Sequence, residues 1–241
     1  IQNMDLNSKW YHLMLEIANK AAKIPGVKWL LKPFYYPIKK RVERSQREKF
    51  LQNGLQVLQR FDRCMEDNGI EYTLAYGTLL GAVRHGGYIP WDDDMDIGML
   101  RSDYEKFCRI APEKLKPEYC LQTWYTEPNY GLPFGKVMKR GTIYLENKKT
   151  SRLQNNGIYV DIFPYDYAPE NPAEREKLTA ALLSIYRMKL MKSGYKPWME
   201  EDKIIWKKRI GYLYYQLKAL FTSQKNLARD YDTLAVAIHD S

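Results

Sequence analysis

Apolar residues recur every three or four positions near the start of the chain, at Leu6, Trp10, Leu13, Met14, Ile17 and Ala21. That period predicts an amphipathic helix over residues 5–23. Pro25-Gly26 ends it, and the aromatic stretch from Pro33 to Pro37 predicts an irregular connection. Phe50, Leu51, Leu55, Leu58, Phe61 and Met65 share one stripe of a second helix, expected over 39–67 and closed by Asn68-Gly69. A short strand is expected over 71–75. A helix follows from Gly77-Thr78 to about His85, broken by Gly86-Gly87. Residues 95–99 read as a strand and 101–111 as a helix. Further strands are expected near 118–125, 134–139, 142–146 and 157–163. Pro164, Pro169 and Pro172 predict a loop, and helices are expected over 173–193 and 202–222. This order predicts an α+β fold: a mixed β-sheet core over 68–168, with helical additions over 1–67 and 169–241.

The 241 residues allow a sizeable core, and no apolar run is long enough to span a bilayer. Residues 1–10 lack a signal-peptide pattern, so the expected location is cytoplasmic. Cys64, Cys108 and Cys120 are few, odd in number and widely spaced. They give neither a zinc spacing nor a disulfide framework.

Charge changes the picture more. The net charge is +9, but residues 20–49 alone carry ten Lys/Arg against two acids. Residues 187–218 carry nine against three, which leaves a net −5 on the remainder. Both basic segments are rich in aromatics, such as Trp29, Tyr35, Trp198 and Tyr214. Basic and aromatic residues together suit an anionic membrane surface. A solvated helix face over an aromatic core is the plain alternative, and nucleic acid ranks below both.

The acidic middle holds Trp91-Asp92-Asp93-Asp94-Met95-Asp96. On a strand, Asp94 and Asp96 project from one face while Met95 and Ile97 point to the core. Two adjacent carboxylates repel unless a cation lies between them, and oxygen ligands suit Mg²⁺ or Mn²⁺. Alone, such a pair is as easily an exposed acidic turn. A calcium loop is excluded, because its turn glycine would fall on Ile97. Gly77 and Thr78 lie between a strand and a helix, where backbone N–H groups bind phosphate. Arg84 and His85 end that helix and offer positive charge. Asp161 stands alone in the apolar strand Ile158-Tyr-Val-Asp-Ile-Phe163, where an unpaired charge is costly. A glycine-threonine turn, an Asp-x-Asp strand and a later strand Asp form a nucleotidyltransferase-like pattern.

The run Tyr76-Gly-Thr-Leu-Leu-Gly-Ala-Val-Arg-His-Gly-Gly-Tyr-Ile-Pro-Trp-Asp-Asp-Asp-Met-Asp-Ile-Gly-Met99 resembles the LicD family of phosphocholine transferases, related to fukutin-type transferases. Gly157-Ile-Tyr-Val-Asp-Ile-Phe-Pro-Tyr-Asp166 resembles the family's second signature, with Tyr165 in place of Leu. The resemblance covers roughly 68–168. It implies transfer of phosphocholine from CDP-choline, or a related CDP-alcohol, to a cell-surface glycan, teichoic acid or lipid-linked precursor. It implies that Asp94 and Asp96 bind the metal and that Asp161 is the third carboxylate. Gly77, Thr78, Arg84 and His85 match the phosphate side, and Lys136 and Lys139 are a weaker carry-over. Family members commonly continue past the equivalent of Ser241, which leaves acceptor recognition open. Other readings remain: a nucleotidyltransferase releasing pyrophosphate, a glycosyltransferase using a sugar nucleotide, or a non-enzymatic membrane-surface binding protein. The basic flanks separately suggest that the enzyme works at the inner membrane face on a lipid-linked acceptor.

Overall fold

The computed structural model describes residues 20, 27–89, 91–92, 94–144, 155–194, 199–200, 203–204 and 206–237. The helix expected over 5–23 lies outside them, apart from Lys20. Two compact units divide at residues 53 and 54. Helix α1 (Val27–Asn68) begins in the first unit and ends in the second. It runs through Pro33 and Pro37, where the sequence predicts an irregular connection. Each proline removes one helical hydrogen bond but keeps a helical φ, so the flanking turns carry the helix across. Helix α1 stops at Gly69, whose φ of 59° suits glycine.

The second unit is built on a five-stranded sheet. Its strands are β1 (Thr73–Leu74), β2 (Asp96–Leu100), β3 (Tyr119–Gln122), β4 (Gly135–Lys139) and β5 (Tyr159–Tyr165), in the order β1-β2-β5-β4-β3. Only β2 and β5 run parallel; the other pairs are antiparallel. Helix α2 (Tyr76–His85) joins β1 to β2, and α3 (Arg101–Lys114) joins β2 to β3. One face of the sheet is apolar. Met95, Ile97, Met99, Leu121, Val137, Val160 and Ile162 join Phe61, Met65 and Phe107 in a single core. Phe61 centres it, with its ring edge-on to Tyr72 at 5.1 Å and to Phe107 at 5.2 Å.

The strand expected over 118–125 stops at Gln122. The Thr126 hydroxyl accepts the Thr123 N–H at 2.8 Å and turns the chain there. Residues 142–144 are not a strand; residues 145–146 lie outside the described residues. Gly141, at φ 74°, breaks the chain after β4. The Thr142 hydroxyl then donates to the Lys139 carbonyl and accepts the Ile158 N–H. Strand β5 continues through Pro164, expected to begin the loop.

The C-terminal helices are α4 (Pro172–Lys192), α5 (Trp206–Leu220) and α6 (Gln224–Val236). A two-stranded ribbon pairs β6 (Met199–Glu200) with β7 (Lys203–Ile204), and β7 stands where the sequence predicts the first turn of the helix over 202–222. Among the described residues no helix is long and apolar enough to cross a membrane. Lys189 is fully buried, and its ammonium donates to the Pro128 and Tyr130 carbonyls at 2.9 Å and to Gln224 at 3.2 Å. It thereby ties α4 and α6 to the loop after β3.

A second polar tie closes the far end of β2 and β5. Arg101 is buried and forms a fork on Asp166, with its Nε at 2.7 Å and a terminal nitrogen at 2.6 Å. Its other nitrogen meets Asp232 of α6 at 3.4 Å, and the Tyr125 hydroxyl donates to Asp232 at 2.6 Å. Asp166, the end of the second signature, is therefore a structural anchor in this fold. Asp166→Ala removes the fork, leaves the buried guanidinium only the longer Asp232 contact, and should cost about 3 kcal/mol. Urea unfolding measures this, and a loss below about 1 kcal/mol would reject the anchor.

Candidate functional site

Sheet register decides what meets what. Asp96 on β2 pairs with Asp161 on β5, Asp161 pairs with Lys136 on β4, and Lys136 pairs with Gln122 on β3. Strand alternation turns the apolar neighbours of all four to the core, so these side chains share the opposite face. The result is a polar row across four strands, and all four residues are buried. Lys136 reaches Asp161 at 3.1 Å and lies over the Tyr159 ring, 3.3 Å from its centroid. Gln122 donates to the buried Glu127 at 2.6 Å and to the Asn155 carbonyl at 3.1 Å. Phe163 follows Asp161 on the same face, packed by Phe134 at 4.4 Å and by Tyr76 at 5.1 Å.

The acid loop reaches this row by folding back along α2. Gly86, at φ 63°, ends the helix in a left-handed turn. The returning chain passes so close to Gly81 that a Cβ there would strike the Gly87 carbonyl at 2.5 Å and the Ile89 nitrogen at 3.0 Å. It arrives at the N-terminal turn of α2, where the Asp92 carboxylate lies against Gly77 with no room for a Cβ. A carboxylate there is favoured by the helix dipole. It also occupies the approach to Gly77 that the sequence assigns to phosphate. The Thr78 hydroxyl accepts the Asp96 N–H at 2.8 Å, and the Ala75 N–H donates to the Asp96 carbonyl at 2.9 Å. Thr78 thus positions the first residue of β2. Tyr76, at φ 43°, holds a left-handed conformation unusual for an aromatic residue.

Asp94 is half-buried in the loop just before β2, rather than within the strand. Asp93 lies outside the described residues. Burial pushes the Asp96 carboxyl up to about 6, and the Asp94 and Asp92 carboxylates push it the same way. Lys136 pulls in the opposite direction. Arg84 and His85 are exposed at the last turn of α2, about 10 Å along the helix from Thr78. The His85 ring stands edge-on to Trp91 at 6.1 Å. The structure therefore brings Asp94, Asp96, Asp161, Lys136, Gly77 and Thr78 to one end of the sheet and leaves Arg84 and His85 at the rim. Lys139 lies on the other face, hydrogen-bonded to Gln56. Gln122 and Glu127 belong to the site region and carry no motif; only register reveals them.

A model of the LicD/FKTN/FKRP nucleotidyltransferase domain matches residues 69–197, more than half of the chain. The chain belongs to the LicD family. The lipopolysaccharide cholinephosphotransferase LicD of Haemophilus influenzae is 33% identical over 119 residues, 49% of this chain and 43% of that protein. Human ribitol 5-phosphate transferase FKRP is 51% identical over 39 residues, 16% of this chain and 8% of its own length. The LicD-family chain thus matches less than half the length of either relative. The five-stranded mixed sheet with its helices is consistent with an α+β nucleotidyltransferase-like fold.

Asp96 tests whether the site suits a divalent cation. A buried carboxyl raised by two neighbouring carboxylates is a locus of uncompensated negative potential, and its donors are hard oxygens. Asp94 and Asp96 fit Mg²⁺ or Mn²⁺ on that ground. Asp161 already faces the Lys136 ammonium. Among the described residues no three acidic, His or Cys side chains converge on one point.

The folded state holds the Asp96 proton more tightly than the ordinary 3.8 of the unfolded chain. Stability associated with this group is therefore lost as pH rises from about 4 through 6, and the penalty persists at pH 7. Asp96→Asn should melt higher than wild type at pH 7 without divalent ions and show a flatter pH dependence between 4 and 6.5. Mg²⁺ should raise the melting temperature of wild type but not of the variant. A variant that melts lower with an unchanged pH slope contradicts this electrostatic account.

Proposed function

We propose that this protein transfers a phospho-alcohol, phosphocholine in the first instance, from a CDP-linked donor to a glycan or lipid-linked acceptor, releasing CMP. The polar row Asp96-Asp161-Lys136 beside the acid loop carries the reading. It joins cation-binding carboxylates to a buried ammonium, the two charges a diphosphate needs. The names of the relatives add the group transferred: cholinephosphate in one, ribitol 5-phosphate in the other.

In this reading Asp94 and Asp96 hold Mg²⁺ or Mn²⁺, which would neutralise charge growing on the departing CMP. Lys136 swings from Asp161 toward a donor phosphate oxygen and adds charge there. Asp161, released from the ammonium, shares the cation or takes the proton of the acceptor hydroxyl. Gly77 and Thr78 hold the backbone that carries Asp96 at the correct height. Arg84 and His85 meet the outer part of the donor. Asp94→Ala and Asp96→Ala should each lower transfer by about a hundredfold or more. Turnover of CDP-choline should yield CMP. Pyrophosphate from a nucleoside triphosphate would favour nucleotidyl transfer, and UDP or GDP would favour glycosyl transfer. Normal rates in both variants would refute the assignment.

The acceptor reading places the protein in the cytoplasm, at the inner membrane face. Helix α5 supports it. Ile210, Leu213, Tyr214, Leu217 and Leu220 lie on one exposed stripe, with Leu217 61% and Leu220 68% exposed. Such a stripe in a basic segment suits a helix lying in an anionic headgroup layer. Vesicles containing phosphatidylglycerol should sediment the protein at low salt, less so as NaCl rises. Leu213→Asp with Leu217→Asp should abolish the effect. Binding that ignores both salt and the substitutions would reject membrane docking.

A further inference from the structure

The β3 end of the polar row holds a buried acceptor that meets no donor among the described residues, the Gln122 Oε1 atom. Gln122 itself is fully buried. Its amide nitrogen donates to the Glu127 carboxylate at 2.6 Å and to the Asn155 carbonyl at 3.1 Å. A carboxylate and a carbonyl accept and do not donate, so the network fixes which end of the amide is nitrogen. Both hydrogens of that nitrogen are committed, and Oε1 is held in one orientation with its lone pairs unused.

Leaving an amide oxygen buried and unpaired is costly. Tying β3 to the Thr123–Glu127 turn explains the nitrogen of Gln122 and leaves the oxygen unexplained. The neighbour in register explains it. Lys136 pairs with Gln122 across β4 and β3, and the two side chains share the polar face. Their Cβ atoms are then about 4.5–5.5 Å apart, within reach of a long side chain. On its other side Lys136 meets Asp161 at 3.1 Å. An ammonium carries three rotatable donors on a flexible stem. Swinging across its own strand, it passes from the carboxylate to the amide oxygen without entering water. A buried ammonium that left its carboxylate with no other acceptor would bear a large desolvation cost. The Tyr159 ring beneath it attracts a cation but supplies no lone pair. The Gln122 amide is also primed for the task. Donation to the Glu127 carboxylate polarises it and strengthens Oε1 as an acceptor.

We infer that Gln122 is a positioning residue for Lys136. Its Oε1 is the second seat of the ammonium, taken when Lys136 leaves Asp161, and Glu127 and the Asn155 carbonyl fix the amide that offers it. The inference rests on the proposed swing of Lys136 and names what holds the ammonium during it. Asp161 is freed while the positive charge stays inside the site.

Crystals of the full chain carrying Asp161→Val test the seat without any substrate. Valine has no acceptor and suits a strand. Lys136 Nζ should then lie within about 3.2 Å of Gln122 Oε1. Melting temperatures complete the test as a double-mutant cycle. Gln122→Met combined with Asp161→Val should melt at least about 3 °C below the sum of the two single losses, because the ammonium then has neither seat. Turnover gives a reading that needs no substitution at Asp161. Gln122→Met should slow transfer about tenfold, the worth of one hydrogen bond to a charged group. It should slow Lys136→Met no further, whereas a residue that merely shaped the fold would slow both backgrounds alike. An ammonium found on Glu127 or on a water in the Asp161→Val crystals, with Gln122 Oε1 apart from it, overturns the seat; so does a cycle that closes additively. A full chain that does not turn over CDP-choline at all would sink the proposed reaction and leave the crystals and the melting cycle to decide the seat.

Discussion

The buried ion pair between Lys136 and Asp161 is the contact on which the rest of the site depends. Taking a carboxylate and an ammonium out of water costs several kcal/mol each, recovered only if they meet in good geometry. Here they meet at 3.1 Å because β4 and β5 pair in the register that sets Lys136 opposite Asp161. The next residue in the row, Asp96, has no such cation to itself. Lys136 lowers its proton affinity, but burial and two nearby carboxylates outweigh that pull. One ammonium thus serves two buried carboxylates on adjacent strands, and the acid loop adds more negative charge at the same end. The row thus sets two carboxylates against one ammonium.

That imbalance needs a stiff frame, and the frame is built at the opposite ends of the same two strands. Residues Asp96 and Asp161 sit at the starts of β2 and β5, while Arg101 and Asp166 follow their ends. The Arg101 fork locks the parallel pair and draws α6 onto it through Asp232. On the other side, Gly81 lets the loop lie flat on α2 and Gly77 accepts the Asp92 carboxylate. A side chain at Gly81 would strike the returning backbone and push the loop off the helix, whereas one at Gly77 would displace the Asp92 carboxylate.

The parts of this arrangement that follow local chemistry were legible in the sequence. Helix α2, with glycines after it, and strands β2 and β5 announce themselves by period and turn residues. Asp96 and Asp161 stand out as charges between apolar neighbours, and Asp94 as part of an acidic run. Long-range register was not legible. Nothing local shows that Lys136 faces Asp161, or that Gln122 and Glu127 extend the row. The Gly77-Thr78 turn reads as a phosphate cradle, yet Thr78 is used to hold Asp96 and Asp92 already lies on Gly77. Tertiary context also overrode local signals at Pro33 and Pro37, which lie within a helix. Helix α6 has no counterpart among the expected elements, which end at 222, although the Ser223 cap followed by Leu227, Ala228, Tyr231 and Ala235 at helical spacing offers a signal for it. Its importance comes from Asp232, whose partner lies 131 residues away.

In the proposed function, a divalent cation would fill the charge deficit beside Lys136 and Asp161. Crystals soaked in Mn²⁺ with CMP test it directly through anomalous scattering. A manganese peak within coordination distance of both Asp94 and Asp96 is the predicted result. A peak elsewhere, or none at saturating Mn²⁺ with CMP bound, would contradict the account.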